Sequence, residues 1–305
     1  MNAIEIRNLS KSFRGLYAVD NLNMTVPVGA IYGFIGENGS GKSTTEKLIC
    51  GHLVPDGGEI RLFGRDYTDP GVRVRVGALI ENAGCFPGSS VYQNLMMQAI
   101  NLNLENPDEE IKRVLKIVRM EDSAHIKFKS CSLGMKQRIG IAMALLGDPA
   151  LLILDEPING LDTDGMRIMR EILVEITTKY STTVLISSHI LGELEKIATH
   201  YGIIRQGRMI QEISAKDMEN RARVFVSIKT KDMEGAEDVL MKKYDNVRRE
   251  EDYIRVYDVD DTESIVEYLI QKGHVVNEIK KNKIGLEEYY IELMSQKTMA
   301  ENKED

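Results

Sequence analysis

The stretch AIYGFIGENGSGKSTTEKLICG, residues 30–51, contains three patterns in succession. Residues 30–35 form a short apolar run of the kind that becomes a buried strand. A glycine-rich loop follows, and the residues from Lys42 to Cys50 have a helical pattern that Gly51 ends. A buried strand that leads into a helix through a glycine-rich loop is typical of α/β folds.

The loop has the spacing of the P-loop pattern, in which Gly36 is followed after four residues by Gly41-Lys42-Ser43. Because phosphate is bulky and multiply charged, the backbone must wrap it closely and aim several N–H groups at it. Glycine permits that wrapping, and the following helix adds the positive end of its dipole. We expect Lys42 to reach the β- and γ-phosphates of ATP and the Ser43 hydroxyl to ligate Mg²⁺. The residues expected to contact the nucleotide here are Gly36, Glu37, Asn38, Gly39, Ser40, Gly41, Lys42, Ser43 and Thr44.

A second motif, LLILDEP at residues 151–157, is an apolar strand that ends in two acids. Asp155 stands at the strand end, where a carboxylate suits a Mg²⁺ ligand, bound directly or through water. Glu156 points elsewhere and could accept a proton from an attacking water molecule. Two adjacent acids alone are more often solvated turn residues. Their position after four apolar residues, in a chain with a P-loop pattern, favours the catalytic interpretation.

Strands and helices alternate through the first two thirds of the chain. Residues 91–147 are mostly helical in pattern, a helix is predicted from about Gly165 to Tyr180, and a strand is predicted from Thr183 to Ser187. This order predicts an α/β sheet that is largely parallel, with ligand sites at the carboxyl ends of its strands. The predicted domain covers residues 1–214 and includes a helical subdomain at about residues 83–146.

The composition is that of an ordinary globular protein, with 43% apolar and 28% charged residues and a net charge of −8. This acidic balance gives no electrostatic reason to bind nucleic acid. Cys50, Cys85 and Cys131 lack metal-ligand spacing, so we expect reduced thiols. Without an apolar run of about 18 residues or a signal-peptide pattern, the chain is expected to be cytoplasmic.

The pattern changes near residue 215, and about six of the eight net negative charges lie beyond it. The βαββαβ order that follows suits a small ferredoxin-like unit, so we predict an α+β domain over residues 215–296. The polar segment 297–305 is predicted to be disordered. The predicted elements are a strand at 224–228, a helix at 233–244, a hairpin turn at 250–252, a helix at 265–273, a strand at 275–279 and a closing helix at 286–294.

The segment SCSLGMKQR, residues 130–138, resembles the signature motif of ABC ATPases. That motif is usually written LSGGQ and stands here as Cys131-Ser132-Leu133-Gly134-Met135. Ser132 and Gly134 match it, whereas the other three residues do not. On their own, Ser132 and Gly134 would indicate no more than a helix start.

Three further positions in the chain match functional elements of this family. Phe13 takes the place of the aromatic residue that stacks on adenine, and Gly160-Leu161-Asp162 resembles the D-loop. His189, in Ser187-Ser188-His189, resembles the switch histidine that senses the γ-phosphate. Each residue alone has an ordinary structural explanation, but their order and spacing over residues 1 to about 215 make the match specific. The resemblance implies an ATP-hydrolysing ABC domain of the P-loop NTPase class with a helical subdomain.

The resemblance also implies partners. In this family two ATPase domains meet head to tail, and each ATP lies between one P-loop and the partner's signature motif. Ser132, Gly134 and Asp162 are then expected to contact the ATP held by the other copy. Because this chain has each motif once, it needs a second copy of itself. It also needs a separate integral-membrane permease, which would hold it at the inner face of the membrane.

One position departs from the family pattern. Within VGALIENAGCFP, residues 76–87, Glu81 stands where the family has a glutamine that touches Mg²⁺ and the attacking water. Glutamate keeps an oxygen for Mg²⁺ but loses the amide donor and adds a negative charge, so we expect an altered rate or Mg²⁺ dependence. Glu81, SLGMKQR and the segment GLEEYYIELM at residues 285–294 resemble the bacitracin and lantibiotic resistance branch of ABC ATPases.

By the same resemblance, the helical stretch between Glu81 and Ser130 docks the permease. Its candidate contacts are Tyr92, Leu95, Met96 and Met97, because methionine adapts to irregular partner surfaces. A place in the core is the alternative for each of them.

The sequence leaves three functional hypotheses. The first is the motor of an exporter, for a membrane-active peptide, an amphipathic drug or another class of substrate. The second is a soluble ABC ATPase that acts on ribosomes or nucleic acid, which the single ATPase unit and the acidic balance disfavour. In the third, the domain after residue 215 binds a regulatory ligand, with an extended dimer contact as the alternative.

Overall fold

The computed structural model describes residues 1–221 and 224–301. The chain divides into two units, Met1–Lys216 and Asp217–Asp305. The boundary expected from the sequence, between residues 214 and 215, lies two residues before the observed one. None of the helices in the described part of the chain has the length and apolar character needed to cross a lipid bilayer.

The first unit contains two sheets and a group of helices. Its strands are β1 (Asn2–Phe13), β2 (Leu16–Pro27), β3 (Ile31–Ile35), β4 (Gly57–Leu62), β5 (Arg65–Asp66), β6 (Val76–Leu79), β7 (Leu151–Asp155), β8 (Thr183–Ser188), β9 (His200–Arg205) and β10 (Arg208–Ser214). Its helices are α1 (Lys42–Ile49), α2 (Pro70–Arg73), α3 (Val91–Asn101), α4 (Pro107–Ile117), α5 (Leu133–Leu145), α6 (Thr163–Tyr180) and α7 (Leu191–Leu194), and α8 (Ala215–Arg221) runs across the boundary.

The larger sheet has the strand order β10-β9-β3-β8-β7-β6, and all neighbours are parallel except β9 and β10. Every residue of β3 is buried, as are residues 151–154 of β7. Such continuous apolar strands are expected in a parallel sheet that is covered on both faces. The predicted largely parallel sheet is therefore confirmed. Asp155 pairs with Ser187 and Ile35 with Ser188, so three strands end at the same edge.

The smaller sheet is antiparallel, with the order β2-β1-β4-β5. Its inner face, β3, β7 and α1 share one apolar core. Burying an aliphatic or aromatic side chain of this kind stabilises a fold by about 1.5–3 kcal/mol. Helix α1 joins this core through Leu48 and Ile49 in its last turn, which anchors the helix that follows the glycine-rich loop. Representative members with at most 1% exposure are Met24, Leu22, Phe34, Leu48 and Ile153.

Helices α3, α4 and α5 form the predicted helical part, with 3₁₀ turns at Glu121–Ser123 and Phe128–Ser130. Ser90 and Gln93 make reciprocal hydrogen bonds that cap the start of α3. Helix α4 begins at Pro107, after Asn106. Its apolar residues are buried on one face, among them Ile111, Val114, Leu115 and Val118.

The second unit contains β11 (Val224–Thr230), α9 (Met233–Met241), β12 (Val247–Arg249), β13 (Ile254–Tyr257), α10 (Thr262–Gln271), β14 (Val276–Lys283) and α11 (Leu286–Glu301). Its sheet is antiparallel with the order β12-β13-β11-β14. This βαββαβ arrangement confirms the ferredoxin-like prediction. Helix α11 continues to Glu301, into the segment 297–305 for which the sequence predicts disorder. Residues 302–305 lie outside the described residues.

Candidate functional site

The glycine-rich loop after β3 has a shape that only glycine allows at two positions. A Cβ atom on Gly36 would lie 2.5 Å from the carbonyl oxygen of Ile204 and 2.5 Å from Oγ of Ser40. Gly41 has a φ of 108°, and a Cβ there would lie 2.4 Å from the carbonyl oxygen of Ala18. The loop therefore forms a tight backbone cradle at the start of α1, where helix N–H groups attract an anion.

Lys42 lies across this cradle with only 6% of its surface exposed. Its Nζ donates to the carbonyl oxygens of Gly36 at 2.7 Å and Glu37 at 3.1 Å. A cavity of about 240 Å³ opens beside it, between the loop and the end of β7. The cation and the backbone donors suit phosphate groups. The cavity is lined by Ala18, Asn38, Gly39, Gly41, Lys42, Ser43, Thr44, Asp155 and Glu156.

Ser43 and Asp155 face each other across this cavity. The Ser43 hydroxyl donates to Oδ1 of Asp155 at 3.2 Å. A hydroxyl and a carboxylate are oxygen ligands of the kind that Mg²⁺ takes together with phosphate and water. No group of three or more His, Cys, Asp or Glu side chains that could hold a metal ion occurs in the described residues. These two side chains fit a Mg²⁺ ion that also binds a nucleotide.

Glu156 has a backbone conformation that separates its side chain from that of Asp155. Its φ is 48°, in the left-handed region that residues with a Cβ seldom occupy. Oε2 of Glu156 lies 2.8 Å from Nδ1 of His189, and Oε1 lies 4.0 Å from Nζ of Lys42. The structure thus brings together the predicted base and the predicted switch histidine. A carboxylate held in this way can accept a proton from a water molecule beside the cavity.

Two buried polar residues at this edge were not predicted to be functional. Ser187 donates to Oδ1 of Asp155 at 2.9 Å and accepts from the backbone N–H of Glu156 at 3.1 Å. Glu46, on α1, is fully buried, and neither of its carboxyl oxygens has a hydrogen-bond partner in the described residues. Burial and, to a smaller extent, the charge of Asp155 raise the pKa of Glu46 to about 8. A charged residue four positions after Lys42, on the same face of a helix, is the sequence signal that marks Glu46.

The residues matched to the signature motif and the D-loop lie together around another cavity. Ser132 caps α5, and its Oγ accepts from the N–H of Met135 at 3.3 Å. Asp162 caps α6, and its Oδ1 accepts from the N–H of Gly165 at 2.8 Å. Both residues and Gly134 line a cavity of about 420 Å³. This cavity shares no lining residue with the cavity at Lys42.

Phe13 and Glu81, two further predicted site residues, line neither of these cavities. Phe13 is 46% exposed at the end of β1, and Nζ of Lys11 lies 5.7 Å from its ring centroid. Glu81 is more than half exposed and pairs with Lys47, with Nζ 2.5 Å from Oε1. Among the described residues, no hydrogen bond joins Glu81 to the predicted Mg²⁺ ligands Ser43 and Asp155.

Of the four candidate permease contacts, Leu95 takes the alternative place in the core, since it is fully buried. Tyr92, Met96 and Met97 are partly exposed on α3. The hydroxyl of Tyr92 is bonded to Asp108. Phe86, in the loop before α3, is 61% exposed and was not predicted.

Comparison with known proteins identifies the family. Residues 19–159 match the ABC transporter family. The bacitracin transport ATP-binding protein BcrA of Bacillus licheniformis is 34% identical over 306 residues, which cover 97% of this chain and 99% of BcrA. The chain belongs to the ABC transporter ATP-binding proteins. The lantibiotic transport ATP-binding protein SrtF of Streptococcus pyogenes is 37% identical over 73% of this chain and 95% of SrtF.

A solved structure agrees with this membership. CbiO1 of Clostridium perfringens, described as part of an ABC transporter complex, superposes with a TM-score of 0.65. The two are 27% identical, and the match covers 72% of this chain and 91% of cbiO1. As an ABC transporter ATP-binding protein, the chain binds and hydrolyses ATP, and it has the ABC ATPase fold predicted from the sequence. The BcrA alignment extends over nearly the full length of the chain, so this relative is similar across both units.

Proposed function

We propose that two copies of this chain drive a separate membrane permease and export an antimicrobial peptide or an amphipathic drug. The proposed pairing of two copies rests on one observation: a single chain has two separate sites, and each is incomplete. One cavity has the phosphate cradle, Lys42 and the two carboxylates, whereas the other has the capped start of α5 at Ser132. Neither is complete alone, and a head-to-tail pair would join the cradle of one copy to the α5 start of the other.

In the proposed pair each nucleotide lies between the two copies. Mg²⁺, when bound through Ser43 and Asp155, would neutralise charge on the phosphates. Glu156 takes a proton from the attacking water, and His189 holds Glu156 and senses the γ-phosphate. The N–H groups at the start of the 13-residue helix α5 contact the γ-phosphate from the other copy. Phe13 stacks on adenine, and Glu81, once released from Lys47, would be a further oxygen ligand for Mg²⁺.

The proposed substrate rests on the relatives. BcrA is named for bacitracin transport and SrtF for lantibiotic transport, and both substances are peptide antibiotics. Both proteins are named as ATP-binding proteins of transport, which supports a separate permease for this chain. An action on ribosomes or nucleic acid has no comparable support, and the net charge of −8 opposes it.

The pairing is tested with Glu156→Gln, which is expected to bind Mg-ATP without turnover and to form a stable dimer in size-exclusion chromatography with light scattering. In that background, Ser132→Asp keeps a good helix cap but places a negative charge beside the γ-phosphate. We expect this double variant to bind ATP and stay monomeric, whereas Ser132→Asn, an equally good neutral cap, still dimerises. A Ser132→Asp variant that dimerises as readily as Ser132→Asn contradicts the pairing.

The substrate is tested in cells. Deletion of the gene is expected to lower the inhibitory concentration of bacitracin or of a lantibiotic, and expression of the intact gene is expected to restore it. The gene with the Glu156→Gln substitution serves as the control, since its product is made but does not hydrolyse ATP. If the deletion leaves susceptibility to all compounds of both classes unchanged while the purified protein hydrolyses ATP, the substrate proposal is wrong. The ATPase activity is not contradicted by that result.

A further inference from the structure

Ser187 lies at the carboxyl end of β8, fully buried, opposite Asp155 of the neighbouring parallel strand. Its one hydroxyl makes two hydrogen bonds. The O–H donates to Oδ1 of Asp155 at 2.9 Å, and the oxygen accepts from the backbone N–H of Glu156 at 3.1 Å. A serine hydroxyl has one proton to donate and lone pairs to accept, so both bonds can exist together. Ser187 therefore links two consecutive carboxylate residues that have different tasks.

The bond to Glu156 supports an unfavourable backbone conformation. A φ of 48° brings Cβ close to neighbouring backbone atoms, and such a residue keeps this conformation only where its surroundings hold it. The same conformation directs the Glu156 carboxylate to His189, 2.8 Å away. Since Ser187 holds the N–H of Glu156, its hydroxyl contributes to the direction in which the base points.

The bond to Asp155 matters most when a metal ion is bound. Oδ1 of Asp155 accepts from two hydroxyl groups, those of Ser43 and Ser187. Ser43 belongs to the P-loop, and its hydroxyl is expected to turn to Mg²⁺. Ser187 is then the remaining hydroxyl donor that fixes the carboxylate. A donor of this kind, which orients a metal ligand from behind, commonly changes metal affinity or activity when it is removed.

We propose that Ser187 is a positioning residue for ATP hydrolysis, and that its hydroxyl fixes the Asp155 carboxylate relative to the Glu156 carboxylate. It acts through these two residues. The inference depends on ATP hydrolysis alone and is independent of the exported substrate.

The test compares Ser187→Thr with Ser187→Val. These side chains have nearly the same shape and add the same bulk, but only threonine keeps the hydroxyl. We expect the kcat of Ser187→Val to be at least about tenfold below that of Ser187→Thr, because small displacements of reacting groups are costly. The KM for ATP should differ by less than about twofold, since the phosphate cradle is unchanged.

A second measurement avoids hydrolysis. In the Glu156→Gln background, Mg-ATP raises the melting temperature, and the Mg²⁺ concentration that gives half of this rise reports on Asp155. We expect this concentration to be about tenfold higher with Ser187→Val than with Ser187→Thr, in line with losses from removing a partner of a metal ligand. The melting temperature without nucleotide shows that both variants are folded.

The control is Thr183→Val, at the opposite end of β8. Thr183 is also fully buried, and its hydroxyl accepts from the N–H of Gly29 at 3.0 Å. This variant also loses a buried hydroxyl acceptor, but its kcat and Mg²⁺ requirement should match the wild type. Equal kcat for Ser187→Thr and Ser187→Val overturns the proposal, as does a difference confined to KM. If the threonine and valine variants do not fold, Ser187→Ala is measured in their place. An unchanged kcat in Ser187→Ala would also overturn the proposal.

Discussion

Nδ1 of His189 lies 2.8 Å from Oε2 of Glu156, although the two residues are 33 positions apart in the chain. The contact forms because β7 and β8 are parallel neighbours whose carboxyl ends meet at one edge of the sheet. Loops that leave this edge bring the two side chains together, and Glu156 also lines the P-loop cavity. The contact therefore couples a carboxylate that can accept a proton to a histidine on the next strand.

This contact predicts that His189→Ala lowers kcat for ATP hydrolysis by about 10²-fold or more, within the range for a general base and its partners. The affinity for ATP should stay within about threefold of the wild-type value, because the phosphate cradle is built from other residues. Steady-state hydrolysis and a fluorescent ATP analogue measure the two quantities. His52→Ala is the matched control, since His52 is exposed. A kcat of His189→Ala within twofold of the wild type would contradict the prediction.

Glu81→Gln tests whether the carboxylate that pairs with Lys47 also binds Mg²⁺. The ion pair is partly exposed on both sides, so its loss should change the free energy of unfolding by no more than about 1 kcal/mol. If Glu81 reaches Mg²⁺ during hydrolysis, the neutral amide should raise the Mg²⁺ concentration for half-maximal rate several-fold. Titration of Mg²⁺ at saturating ATP measures this. Lys47→Met, which frees Glu81, is expected to shift that concentration the opposite way, and no shift in either variant excludes Glu81 as a ligand.

Two neighbouring residues of α10 provide a matched pair of substitutions that tests the core of the second unit. Leu269 is fully buried in α10, whereas its neighbour Ile270 is 60% exposed. Leu269→Ala should destabilise this unit by about 2–5 kcal/mol, because it leaves a cavity among packed apolar residues. Ile270→Ala should lower the free energy of unfolding by less than about 1 kcal/mol. Hydrogen exchange at the amides of residues 224–284 measures both effects, and equal protection in the two variants would show that α10 is not packed as described.

The sequence predicts best where one pattern has one structural outcome. The apolar run before Gly36 and the residues 151–154 are buried in parallel strands as expected, since such strands need apolar residues on both faces. The order of elements after residue 215 also gave the correct sheet, because each helix and strand there has its own clear period.

Side-chain contacts are harder to predict, because they depend on distances across the fold. Glu81 lies near the end of β6, but its partner Lys47 is on α1, and nothing in the local pattern joins them. Leu95 has the same apolar character as an exposed docking residue, and only the packing of α3 shows that it is buried. Ser187 looked like one small polar residue before His189. Its role depends on the register that places it opposite Asp155.

The last prediction concerns Glu46, whose carboxyl is buried beside Asp155. Its pKa rises from 4.5 to about 8, mainly through burial and then through the charge of Asp155. Between these two values the folded protein keeps a proton that the unfolded chain has released, so stability falls as pH rises. At 1.36 kcal/mol per pKa unit, the upper limit of this cost is about 5 kcal/mol above pH 8.

Glu46→Gln removes the ionisable group but keeps the shape of the protonated acid. The variant should therefore match the wild type below about pH 4 and become progressively more stable than it up to about pH 8, where the difference levels off. Urea unfolding in EDTA, without nucleotide, measures this difference at each pH. Glu121→Gln, at an exposed position, should give a small difference that does not change with pH. Since the advantage grows with pH only if Glu46 binds its proton more tightly in the folded state, a constant or shrinking advantage of Glu46→Gln as pH rises would show that Glu46 is ionised in the native protein at neutral pH.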